Sequence, residues 1–71
     1  MNQGEGQEIP PHLRAVGALV AQGQDNDQIA EALCITKHTA EKYVSELKRE
    51  LGARNRVDLA LRCQKLGSRL P

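Results

Sequence analysis

The chain has neither Phe nor Trp, and Tyr43 is its single aromatic residue. A core without rings must come from Leu, Val, Ile and Ala, which suits close-packed helices better than a sandwich or barrel. The expected fold class is therefore all-α. Cysteine is also scarce. Cys34 and Cys63 stand 29 positions apart, too few for a framework of bridges, and no Cys or His pair has the double-ligand spacing of a zinc site. His12 and His38 each stand alone in the sequence. No apolar run approaches the roughly 20 residues of a membrane span, and the opening "MNQGEGQE" has neither the basic nor the apolar region of an export signal. These absences point to a soluble, cytoplasmic protein with reduced thiols, no metal and no membrane partner. No activated nucleophile, paired acid or phosphate-cradling loop is present, so catalysis, a cofactor and a small-molecule ligand are not expected.

A net charge of one sign is missing too: the total is only +1. The charges are nevertheless sorted along the chain. Residues 1–36 set Arg14 against Glu5, Glu8, Asp25, Asp27 and Glu31, a balance of −4. Residues 37–71 set nine basic side chains against Glu41, Glu46, Glu50 and Asp58, a balance of +5. Such asymmetry suits a nucleic-acid partner for the second half. With 71 residues the chain makes one small domain, whose core yields only a few kcal/mol of net stability unless surface is shared with a partner. A homodimer is accordingly expected.

Residues 1–8 are polar and aperiodic and read as a flexible tail, with the folded domain over 9–71. Pro10 and Pro11 suit a helix start, and Leu13, Val16, Leu19 and Val20 recur at helical spacing until Gly23. Gly17, inside this first helix, suggests either a close approach by another helix or simple tolerance. Asp25 or Asn26 can cap a second helix, with Ile29, Ala30 and Leu33 on one face, that breaks near Cys34 after about two turns. Thr36 can cap a third, in which Ala40, Tyr43, Val44, Leu47 and Leu51 form a stripe that ends at Gly52. Asn55 can cap a fourth, running to about Leu66 with Gly67 as its stop. The apolar residues of that last helix exceed one stripe, which makes Leu59, Cys63 and Leu66 the candidate dimer contacts.

A short helix, a four-residue corner and a longer helix with a basic outer face have the geometry of a helix-turn-helix, although a plain helical hairpin wants similar apolar contacts. The stretch "LVAQGQDNDQIAEALCITKHTAEKYVSELKRELGARNRVDLA" resembles the LuxR-type (GerE-like) helix-turn-helix domain of bacterial transcription regulators. Its "AQG", "IAEAL", the "IT" leading to Thr39, and "KRELGARNR" stand in that family's order and spacing, and the likeness covers about residues 9–67. It implies a four-helix fold with helix 3 in the major groove of double-stranded DNA and helix 4 as a frequent dimer contact. Stand-alone members exist, and a stand-alone domain is the expectation here, since 71 residues leave no room for a receiver or ligand-binding domain. Two departures are visible. The family usually opens helix 1 with Thr and an acidic, Arg-rich turn where this chain has Pro10, Pro11, His12 and Leu13. In helix 3 it often has Val, Lys and His where this chain has Ala40, Glu41 and Tyr43.

On the outward stripe of helix 3, Glu41, Lys42 and Ser45 are the candidates for base-edge contacts, and a carboxylate there can accept from cytosine N4. Thr36, Lys37, Thr39, Tyr43, Lys48 and Arg49 are candidates for the phosphate backbone, through hydroxyls, cations and the positive end of the helix. In the following turn Asn55 reads as structural, while Arg54 and Arg56 could meet either a carboxylate or a phosphate. The expected function is a sequence-specific DNA-binding transcriptional regulator. The alternative is a small helical module that uses the same scaffold to hold another regulator, which Glu41 and the near-neutral total charge favour.

Overall fold

The computed structural model describes residues 9–68. Its elements are α1 (Pro11–Ala21), α2 (Asn26–Leu33), α3 (Lys37–Leu51) and α4 (Arg56–Ser68), and no strand occurs among the described residues. The expected tail over residues 1–8 lies outside them, as do residues 69–71.

Local chemistry sets where α1 starts and where α1, α2 and α3 stop. Pro11 occupies the first helical position of α1, where a missing N–H costs nothing, and the Pro10 carbonyl accepts from Leu13 N at 2.9 Å. α1, α2 and α3 all end in the same way. A residue in the left-handed region turns the chain so that the next N–H reaches back to a carbonyl in the last turn: Gln24 N to Leu19 O, Ile35 N to Ala30 O, and Ala53 N to Lys48 O, at 2.9–3.1 Å. Glycine supplies that residue twice, as Gly23 and Gly52. The third is Cys34, at φ 57° and ψ 44°, a conformation costly for a residue with a Cβ.

The core consists of Leu13, Val16 and Val20 from α1, Ile29 and Ala30 from α2, Ala40, Val44 and Leu47 from α3, and Leu59 and Cys63 from α4. No polar or charged residue is buried among the described residues. α1 lies against both α3 and α4, while α2 packs on α3. Burying a side chain such as Ile29 or Leu47 contributes about 1.5–3 kcal/mol relative to leaving it in water. Gly17 sits where α1 approaches both partners. A Cβ there would lie 3.5 Å from Leu47 Cδ2 and 3.6 Å from Cys63 Sγ.

Helix α4 differs from expectation in two respects. It runs through Gly67 to Ser68, because a glycine permits a left-handed stop without compelling one. Leu59 and Cys63 face inward and are buried, and Leu66 is half-buried. Residues four apart on a helix share a face, so Leu59 and Cys63 make up the core stripe itself. The apolar excess lies on the opposite side, where Val57 is 70 % and Leu61 52 % exposed.

Candidate nucleic-acid interface

The interface is built on the α2–α3 corner. Asp25 Oδ1 accepts from Gln28 N, and Gln28 Oε1 accepts from Asp25 N, both at 2.8 Å, a reciprocal cap that fixes where α2 begins. Cys34 turns the chain, and Ile35 folds back onto the core cluster. Thr36 then opens α3: its Oγ1 accepts from Thr39 N at 3.1 Å and donates to Thr39 Oγ1 at 2.9 Å. The apolar stripe Ala40, Val44 and Leu47 holds α3 against α1 and α2. That packing decides which side of α3 meets solvent.

On the solvent side lie Lys37, His38, Glu41, Lys42, Ser45 and Arg49, all exposed, with Thr39 and Lys48 half-buried at the margins. Glu41, Lys42 and Ser45 thus share one open face, and neither a hydrogen bond nor an ion pair engages their side chains among the described residues. Lys37 Nζ lies 3.5 Å from Asp27 Oδ1 across the corner. Both groups are well exposed, so this pair is worth under about 1 kcal/mol, and the ammonium can exchange its partner for another anion. Lys48 and Arg49 occupy the last turn of α3, where cations favour the negative end of the helix.

Tyr43 is half-buried and packs against the core cluster, as its place in the apolar stripe implies. Its ring and that of His12 meet in an edge-type arrangement, with centroids 5.0 Å apart at 61°. His12 Nε2 in turn lies 3.2 Å from Glu46 Oε1. The histidine that stands alone in the sequence therefore ties α1 to α3, and nothing short of the fold brings positions 34 residues apart together. This contact turns the Tyr43 ring toward α1.

The turn into α4 is a scaffold for the same corner. Asn55 Oδ1 accepts from Asp58 N at 2.8 Å, the expected cap. Arg56 forks onto the α1–α2 turn, donating to Asn26 Oδ1 at 2.9 Å and to the Gln24 carbonyl at 2.8 Å. Arg62 donates to the Leu51 carbonyl at 3.0 Å, satisfying an end of α3, and to Asp58 at 3.2 Å. The Asp58 carboxyl is held below its ordinary range by the backbone N–H of Arg54 and then by the Arg62 guanidinium, against some desolvation. The i,i+4 spacing of Asp58 and Arg62 is visible in the sequence, whereas the reach of Arg56 and Arg62 to distant carbonyls is not.

A stable corner presenting an open, largely basic helix face is what a groove reader requires. The family model described as "Bacterial regulatory proteins, luxR family" (GerE) matches residues 14–63, which span α1 to the middle of α4. The chain belongs to the luxR family. That family is one of DNA-binding transcription regulators rather than enzymes. The chain is also 43 % identical over 53 residues to the two-component response regulator PprB of Pseudomonas aeruginosa, which covers 75 % of this chain and 19 % of that protein. No solved structure matches. No described helix is long and apolar enough to cross a membrane.

Proposed function

We propose that this luxR-family chain is a sequence-specific DNA-binding transcriptional regulator, in which α3 enters the major groove of double-stranded DNA. The observation that carries the reading is the open face of α3, where Glu41, Lys42 and Ser45 have no intramolecular side-chain partner and lie between cations toward both helix ends. α3 has 15 residues, which makes it about 22 Å long, and the groove is wide enough to admit a helix. Lys37, Lys48 and Arg49 are suited to phosphates, as is the N-terminus of α3 at Thr36 and Thr39. The deciding experiment is a titration of the chain with duplex DNA at two or more salt concentrations, in which log affinity falls linearly with log salt. Absence of salt-dependent binding would reject the groove reading in favour of the protein-interaction module.

The same reading includes a weak homodimer through the outward side of α4. The exposed Val57 and Leu61 support it, and Arg54, Asn55, Arg56 and Asp58 line an open depression with them. Two side chains supply only a fraction of the roughly 800 Å² per partner of a stable interface, so association should strengthen on a two-site duplex. Sedimentation showing a monomer both alone and on such a duplex would rule the dimer out.

A further inference from the structure

Glu41 is the anomaly of the proposed groove face. A carboxylate one turn into the helix opposes the phosphates, and residues near the N-terminus of a recognition helix are those that reach base edges. Were Glu41 neutralised within the protein, it would only dilute the positive face. The structure leaves it unneutralised. The lysine one turn before it, Lys37, lies at 3.5 Å from Asp27 and makes no ion pair with Glu41, and the residue one turn after it is the uncharged Ser45. Among the described residues Glu41 has neither an ion-pair nor a hydrogen-bond partner. The neighbouring acid, Glu46, is by contrast occupied by His12. Of the acidic side chains on α3, Glu50 lies in the last turn, so Glu41 is the exposed carboxylate placed to enter a groove first.

A charged acceptor carried into a groove without a donor forfeits its hydration and gains nothing in return. Only two base-edge groups in the major groove donate, cytosine N4–H and adenine N6–H. The adenine donor is flanked by the N7 acceptor, which repels a carboxylate. Lys42, next along the helix and equally exposed, donates and cannot accept, so it matches guanine O6 and N7.

We infer that Glu41 is the specificity-determining residue of this chain, reading a cytosine, and that the preferred half-site is G·C-containing, with a guanine within reach of Lys42. The inference rests on the groove reading above.

The test is selection of bound duplexes from a random pool with the 71-residue chain and with Glu41→Gln and Glu41→Ala, each confirmed helical by circular dichroism. The glutamine amide matches adenine N6 and N7. Wild type should recover a motif with one strongly preferred cytosine. Glu41→Gln should move that position to adenine, and Glu41→Ala should relax it, with discrimination there changing roughly 5- to 150-fold. Motifs that are the same for all three proteins, or a changed position that is not cytosine in the wild-type motif, would overturn the assignment of Glu41 while leaving the groove reading intact. A wild-type chain with no salt-dependent binding to any duplex would overturn the groove reading and this inference with it.

Discussion

Replacing Gly17 with Ala should stabilise the domain. Glycine in a helix interior costs about 1 kcal/mol relative to alanine, chiefly through the freedom its backbone has in the unfolded chain. That gain survives only if the added methyl fits. At position 17 its Cβ would lie 3.5 Å from Leu47 Cδ2 and 3.6 Å from Cys63 Sγ, ordinary van der Waals contact that adds a little dispersion energy and forces no displacement. The net expectation is a gain of about 0.5–1 kcal/mol, which in a domain of this size raises Tm by roughly 2–8 °C. Urea and thermal unfolding followed by circular dichroism at 222 nm read it directly. Because Gly17 packs on the core side of α3, opposite Glu41 and Lys42, DNA affinity should not change. A loss of stability would show that α1 lies closer to α3 and α4 than 3.5 Å allows, and would refute the packing described for this crossing. A longer side chain, as in Gly17→Leu, should destabilise by about 1–3 kcal/mol through overpacking.

Lys42→Ala should weaken binding by about 1–3 kcal/mol with relaxed preference at one position. An equal loss across all sequences in a duplex titration, with a salt slope lower by about 1, would make Lys42 a phosphate contact instead. Cys34→Val should cost about 1–2 kcal/mol in denaturant unfolding, because a β-branched residue is strained at φ 57°, while Cys34→Gly should be tolerated; equal stabilities would mean the corner does not need its left-handed residue. Asp58 has a folded pKa below its ordinary value of 3.8, so its contribution to stability is present above that value and lost as pH falls through the folded pKa. The stability gap between wild type and Asp58→Asn should therefore narrow on acidification, and a gap that widens would contradict the Arg54 and Arg62 contacts. Burial pushes the Cys63 thiol above its ordinary 9.0, so stability should decline as pH rises past 9.0, and less so in Cys63→Ala.

Much of this protein is determined by local chemistry that the sequence carries openly. The caps at Asp25, Thr36 and Asn55, the left-handed stops at Gly23 and Gly52, and the stripes through Val16, Ile29 and Leu47 each depend on residues within one or two helical turns. They define four helices and the corner between α2 and α3. The exposed set Glu41, Lys42 and Ser45 follows from the same periodicity, because burying one stripe of α3 necessarily exposes the other. The tertiary structure decided what depends on contacts between distant segments. In α4 two apolar stripes were available, and only the placement of α1 and α3 sent Leu59 and Cys63 inward and left Val57 and Leu61 outside. His12 gained Tyr43 and Glu46, and Arg56 gained Asn26 and the Gln24 carbonyl, across separations of about 30 residues. No periodicity reports such pairs, because a polar side chain's partner is set by where the helices cross, and that crossing is the joint outcome of every buried side chain at once.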